Sequence, residues 1–234
     1  MRDFSGLTET LYIATEWIMR FSVVNVLWFF LNIPIFFTII SIFFGNSEQS
    51  SFVYLLPLIV LVPLLFFPST AAVFAMARDW IIKKDQASLI KSYFLHFKVN
   101  FKKSFLSGLV LTAAWLVWIL DFSFFKNESD LLRVVFIVLG LILLVLTINF
   151  FSLNAHYQMN IKELLKNTFF VTLGNPLLSL FILVSNLSLF YVSMTELLFL
   201  VPLFAGTISA FLSFLAFYRF SLKVEKKALG NKEG

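Results

Sequence analysis

Long apolar runs separated by short polar or basic segments dominate the pattern of this chain. A membrane-spanning helix needs about 20 mostly apolar residues, and six stretches meet that requirement. They are residues 21–44, 52–77, 104–125, 131–153, 176–192 and 197–218. A helix that is apolar on every side is typical of lipid or of a protein interior. The pattern therefore predicts an all-α membrane protein: a bundle of about six transmembrane helices that forms a single integral membrane domain.

Proline residues and short polar connections predict where the spans bend or turn back. The last two apolar stretches are joined only by a few residues around Glu196, which predicts a tight hairpin. Pro202 lies in the first turn of the sixth span. Pro63 and Pro68 remove backbone donors inside the second span, so we expect a kink near Pro68.

The composition agrees with lipid as the surrounding solvent. The chain is 60% hydrophobic and only 13% charged, whereas soluble domains are about 25% charged. It contains no cysteine, which excludes disulfides, thiol catalysis and cysteine-ligated metals. Charged residues from Arg2 onward interrupt the first segment, so we expect no cleavable signal peptide. The net charge of +5 lies beside apolar segments, which favours anionic lipid over nucleic acid as the partner.

Lysine and arginine are distributed unevenly between the segments that connect the spans. Sixteen of the 18 lie in the N-terminal segment, in the second loop (78–103), in the fourth loop and in the basic tail (219–234). The remaining two, Lys126 and Arg133, border the third loop. Because basic residues stay on the cytoplasmic side, we expect a multi-pass protein of the bacterial plasma membrane with both termini in the cytoplasm.

The second loop, 78–103, contains the pattern of an amphipathic helix. Its apolar positions recur at helical spacing while its lysines fall largely elsewhere, as in a helix that lies on a membrane surface. It is either a connector whose lysines touch anionic headgroups or a docking surface for a partner protein. The docking interpretation assigns that role to Lys91, Phe94, Phe97, Lys98 and Phe101.

Two further segments outside the spans have helical spacing. The N-terminal segment is expected to lie along the cytoplasmic surface before the first span. The fourth loop resembles the second: Leu89, Lys91, Phe94, Asn100 and Ser104 match Leu164, Lys166, Phe169, Asn175 and Ser179 at a constant offset. This is either a faint parallel repeat, as in some transport proteins, or chance similarity between apolar segments.

Four asparagines interrupt the apolar spans, namely Asn25, Asn32, Asn149 and Asn186. Polar side chains in lipid are costly and turn toward protein or a cavity. In one interpretation these amides hydrogen-bond neighbouring helices, at about 1 kcal/mol each. In the other they form a polar pocket for a hydroxylated ligand such as a sugar.

Small residues recur every four positions in the sixth span, at Ala205, Ser209 and Ser213. This spacing allows two helices to approach closely. The row is either part of the packing inside the bundle or a face for another subunit.

No signature of catalysis or of cofactor binding is present in the sequence. It contains no G-x-x-x-x-G-K-[ST] phosphate loop, H-E-x-x-H motif or G-x-S-x-G motif. His96 and His156 are interpreted as isolated side chains on cytoplasmic loops. We therefore expect a protein that is not an enzyme and that has no cofactor or metal.

Six short motifs resemble one known family. They are EWIMR at 16–20, NVLW at 25–28, FPSTAA at 67–72 followed by RDW at 78–80, FKVNFKKS at 97–104 and LGNP at 173–176. Over nearly its whole length the chain resembles the YesL-like family of small bacterial membrane proteins, although it has Pro-Ser-Thr where Pro-Ala-Thr is frequent. The resemblance implies an accessory role in saccharide import, since members are often encoded near sugar ABC transporters. It implies no catalytic residues.

Three functions are open at this point. The first is a non-enzymatic accessory subunit of an oligosaccharide ABC import system, which binds permease subunits through residues 87–103 and the small-residue row. The second is an independent carrier of a small solute that uses Asn25, Asn32 and Asn186. The third is a membrane-embedded regulator or sensor whose cytoplasmic loops contact a signalling partner.

Overall fold

The computed structural model of the 234-residue chain describes residues 2–44, 56–84, 88–126 and 128–230. Throughout these ranges the backbone is helical or forms short connections, and none of it is a strand. The predicted start of the second span (52–55), Ala87 and the last four residues of the tail lie outside the described residues.

The described residues form seven helices. These are α1 (Arg2–Phe44), α2 (Leu56–Ile81), α3 (Leu89–Phe125), α4 (Asp130–His156), α5 (Ile161–Gly174), α6 (Pro176–Thr195) and α7, which begins with Val201–Ala205 and continues as Gly206–Gly230. All except α5 contain a stretch that is long and apolar enough to cross a membrane. The predicted all-α bundle with six spans is thereby confirmed.

The first and third helices are longer than the predicted spans. The amphipathic part of the second loop does not form a separate surface helix, because α3 runs through it without a break for 37 residues. The N-terminal segment likewise continues into the first span, as one helix of 43 residues. At 1.5 Å per residue α1 is about 64 Å long, roughly twice the hydrocarbon thickness of a membrane. Its N-terminal turns therefore extend beyond one side of the bilayer.

Two helices contain a π-helical turn that begins with Val-Pro-Leu. One is Val62–Phe66 in α2, which ends two residues before Pro68, and the other is Val201–Ala205 at the start of α7. A proline clashes with the carbonyl four residues before it, and a wider turn relieves that clash. The irregularity predicted near Pro68 therefore lies in the turn before it, where the Ser69 hydroxyl donates to the Phe66 carbonyl at 3.1 Å.

The second half of α2 forms the centre of the bundle. Nearly every residue from Phe67 to Ala77 is buried, and four of these residues are alanines. Small side chains let neighbouring helices approach closely. Large aromatic residues from the surrounding helices fill the remaining space, among them Tyr93, Phe150 and Phe214, all fully buried.

Candidate functional site

Aromatic contacts bring several helix ends together at one end of the bundle. Trp17 of α1 packs against Trp80 of α2 at 6.2 Å and against Phe211 of α7 at 5.5 Å between ring centroids. His156, the last residue of α4, contacts Tyr218 of α7 at 5.6 Å. These helix ends carry most of the lysines and arginines, so we call this the basic end of the bundle.

A buried cluster of charged side chains lies at the basic end. Asp79 of α2 accepts hydrogen bonds from Arg78 through Nε at 2.9 Å and Nη2 at 2.6 Å. The other carboxylate oxygen of Asp79 lies 2.9 Å from Nε2 of His96, which belongs to α3. Only 3% of the Asp79 side chain is exposed. A carboxylate this buried is stable only when it is paired and hydrogen-bonded, as it is here.

The cluster joins three helices. Arg78 also donates through Nη1 to the carbonyl of Ala155 at 2.6 Å, in the last turn of α4, where free helix carbonyls favour a positive charge. Asp79 and His96 connect α2 to α3 in the same cluster. The arrangement therefore fixes the position of the first turns of α3 relative to the core.

The interpretation of His96 as an isolated side chain was wrong. Asp79 entered the sequence analysis only as part of the RDW motif at 78–80, and no role was assigned to it. The pairing with His96, 17 residues later, depends on the packing of α2 against α3 and is not visible in the spacing. Among the described residues no three His, Cys, Asp or Glu side chains are grouped in a way that could hold a metal.

The proposed docking residues of α3 divide between two faces of the helix. Tyr93 and His96 face the core, and Phe97 packs against its edge. Lys91, Phe94 and Lys98 are exposed, whereas Phe101 is half-buried. The neighbouring exposed residues Leu95 and Val99 extend the apolar part of this surface. We call Lys91, Phe94, Leu95, Lys98 and Val99 the α3 surface.

The small-residue row of α7 belongs to the interior. The Asn186 amide of α6 donates to the Ser213 hydroxyl at 3.0 Å, and Ser209 donates to the Asn186 carbonyl oxygen. Ser213 is fully buried, and Ala205 lines the cavity described below. Ser209 and Ser213 therefore take part in packing inside the chain, as in the first interpretation of the row, and the face for another subunit stays a prediction.

The four asparagines lie at different helix contacts. Asn25 donates to the Val201 carbonyl at 2.9 Å and accepts from the Thr207 backbone N–H at 2.9 Å, so it satisfies groups around the π-helical turn of α7. Asn32 donates to Ser69 of α2 at 2.9 Å, and Asn149 donates to Thr172 of α5 at 3.1 Å. The side-chain oxygens of Asn32 and Asn149 have no partner within the part of the chain that the structure describes. Each amide thus bonds a neighbouring helix, and of the four only Asn186 belongs to the wall of the cavity described next.

A cavity of about 520 Å³ lies between α1, α2, α4, α6 and α7. This volume is within the range of about 300–1,000 Å³ that is usual for ligand pockets. Aromatic and aliphatic side chains form most of its wall, including Trp28, Phe74 and Phe151, and no charged side chain of the described residues contributes to it. Both π-helical turns border it, through Phe66 and Val201.

Comparison with known proteins confirms the resemblance to the YesL-like family. Residues 21–122 match the family described as "Protein of unknown function, DUF624". The chain is 27% identical over 215 residues to "Uncharacterized protein YesL" of Bacillus subtilis (strain 168), covering 90% of this chain and 91% of the relative. It is 25% identical over 215 residues to "Uncharacterized protein YteU" of the same organism, covering 90% of this chain and 85% of the relative. No solved structure is significantly similar to the chain.

Proposed function

We propose that this multi-pass membrane protein, a distant homologue of YesL with the DUF624 match in residues 21–122, is a non-enzymatic accessory subunit of a carbohydrate ABC import system. It binds the permease through the α3 surface. One observation carries the proposal: an exposed basic and apolar surface is held rigidly against the core by the buried contact between Asp79 and His96 at 2.9 Å.

The chemistry of the α3 surface suits a protein partner. Phe94, Leu95 and Val99 are 44%, 60% and 71% exposed, and exposed apolar residues rimmed by charge are typical of interaction sites. Aromatic residues often contribute most of the binding energy at an interface. Lys91 and Lys98 flank this apolar part and favour a partner with acidic residues at its cytoplasmic edge.

The saccharide part of the proposal derives from the family resemblance, which implies an accessory role beside sugar ABC transporters. We further propose that the basic end faces the cytoplasm of a bacterial cell and that both termini lie there. The basic-residue asymmetry supports this orientation, and six spans return the chain to its starting side.

The proposal is tested by purification of the tagged full chain from native membranes in a mild detergent. We expect ABC permease subunits to copurify, and we expect Phe94→Ala combined with Lys98→Ala to lower their recovery at least fivefold. The matched control is Phe124→Ala combined with Lys126→Ala, which changes exposed residues at the opposite end of α3. Absence of permease subunits from the wild-type preparation, or equal losses in both double variants, would contradict the proposal.

The carrier alternative has less support from the geometry. Of the three asparagines assigned to solute binding, Asn25 and Asn32 do not line the cavity. Liposomes that contain only this chain test the carrier directly, because uptake of labelled oligosaccharide without an ATPase would favour it. The regulator alternative shares the α3 surface and is distinguished by the identity of the copurified partner.

A further inference from the structure

The cavity between α1, α2, α4, α6 and α7 has a wall whose polar groups are almost all engaged. Thr70 accepts from Trp28 Nε1 at 2.9 Å. Thr147 donates to the Leu143 carbonyl at 2.8 Å. Both ends of the Asn186 amide bond serines of α7. A sugar would therefore find few free partners for its hydroxyls in this wall.

The hydroxyl of Ser193 is a polar group of the wall that is not engaged in a hydrogen bond with any described residue. Ser193 of α6 lines the cavity and is almost completely buried, and among the described residues its hydroxyl has no hydrogen-bond partner. A buried hydroxyl without a partner is unusual in a folded protein. The wall thus offers one hydrogen-bonding group beside a large apolar space, which suits a ligand with an apolar body and one small polar end.

The position of Ser193 agrees with the depth at which the polar part of a lipid lies. The helix α6 has 20 residues and is therefore about 30 Å long, close to the hydrocarbon thickness of a membrane. Ser193 lies two residues before its end, about 3 Å from the boundary with the headgroups. The wall on α6 continues back to Asn186, about 14 Å from that end and near the middle of the membrane.

The wall of the cavity has an exposed side on α6. Its residues Leu187, Phe190 and Met194 are 41%, 61% and 45% exposed. In a membrane this side faces lipid, so a hydrocarbon chain could enter sideways without crossing water.

We propose that this cavity binds one hydrocarbon chain of a membrane lipid, with the first polar group of that lipid at the Ser193 hydroxyl. The site is separate from the α3 surface and does not depend on the proposed function. The lipid would fill the space that both π-helical turns border.

Native mass spectrometry of the full chain with added palmitoyl-oleoyl phosphatidylglycerol tests the proposal. We expect one lipid to stay bound at a collision energy that removes all others. Ala205→Phe, which fills the cavity, is expected to lower this retention at least fivefold. Val184→Phe adds the same ring on the exposed face of α6, outside the cavity wall, and should leave retention unchanged.

Several outcomes would overturn the proposal: no retained lipid, retained detergent alone, equal retention in both phenylalanine variants, or displacement of the lipid by maltotriose. The polar end is tested separately. Ser193→Ala is expected to reduce retention at least threefold, whereas the exposed Ser188→Ala is not. Equal retention in these two variants would refute the assignment of the lipid's polar group to Ser193.

Fluorescence quenching provides a second test, in which tryptophan reports on the bound chain directly. The chain has five tryptophans, of which Trp28 lines the cavity and Trp80 lies in the core at 5% exposure. Two proteins, each with one of these tryptophans and phenylalanine at the other four positions, are placed in nanodiscs that contain phosphatidylglycerol with brominated acyl chains. We expect Trp28 to be quenched at least twice as strongly as Trp80, and equal quenching would count against a chain in the cavity.

Discussion

Replacement of Asp79 by alanine removes the centre of the cluster at the basic end. The change leaves Arg78 and His96 without the carboxylate that both contact, at 2.6 Å and 2.9 Å. Loss of one partner of a buried ion pair costs about 3–5 kcal/mol. Arg78 has 23% of its side chain exposed, and in Asp79→Ala it keeps its bond to the Ala155 carbonyl. We therefore expect the free energy of unfolding to fall by the lower limit of this range, about 3 kcal/mol.

The expected loss is large enough to measure as a thermal shift in detergent. For a chain of this size 1 kcal/mol corresponds to about 2–4 °C in Tm, so Asp79→Ala should lower Tm by about 6–12 °C. Asp79→Asn keeps the shape of the side chain and one hydrogen-bond acceptor for Arg78, so we expect about half of that decrease in Tm.

Asp130→Ala is the matched control for this prediction. Asp130 also pairs with an arginine, Arg133, at 2.7 Å, but 92% of its side chain is exposed. Exposed pairs contribute at most about 1 kcal/mol, so Tm should fall by no more than about 4 °C. If Asp79→Ala and Asp130→Ala lowered Tm equally, the cluster would not hold α3 against the core, and the argument for a rigid α3 surface would fail.

Three further predictions concern packing, hydrogen bonding and orientation. Gly140→Ala places a methyl group 2.4 Å from Trp118 Cζ2 and should destabilise the chain by about 1–3 kcal/mol. Gly174→Ala, with nothing within 4 Å, should not lower Tm in the same thermal assay. Asn25→Ala removes the hydrogen bonds to the Val201 carbonyl and from the Thr207 N–H and should cost about 1–3 kcal/mol. Asn100→Ala removes only a hydrogen bond within α3. When both variants are unfolded by SDS, it should lower the free energy of unfolding less than Asn25→Ala does. Equal decreases would show that Asn25 does not support the π-helical turn. Because the chain has no cysteine, an impermeant maleimide should label Glu128→Cys on intact cells and Lys98→Cys only after permeabilisation; the reverse pattern would invert the proposed orientation.

The apolar pattern was a good guide to the number of membrane helices and a poor guide to where each helix begins. Six candidate spans were expected and six are present. The amphipathic segments before the first and third spans were expected to be separate, yet both continue into the span that follows. A change in polarity along a chain marks where water gives way to lipid, and it does not interrupt backbone hydrogen bonds. Backbone hydrogen bonds are interrupted by a residue that breaks the helix, such as proline. No proline lies where the first or the third span begins.

For the candidate site the sequence named the right kinds of residues without showing how they combine. The asparagines of the spans were expected to bond other helices or to form a pocket, and the first interpretation describes Asn25, Asn32 and Asn149. Asn186 lines the cavity while it also bonds two serines of α7. Helical spacing tells which side chains share a face, but it does not identify the helix that packs against that face.

The sequence by itself determined that lipid surrounds this chain, since its spans lack the charge that water would require, and it predicted helices because every backbone group must be satisfied within lipid. Only the tertiary structure decided that Asp79 meets His96 and that an apolar cavity opens beside Ser193. Those features depend on which helices are neighbours, and in lipid that choice is made by close packing and a few polar contacts, because the apolar surfaces are equally well solvated by the bilayer.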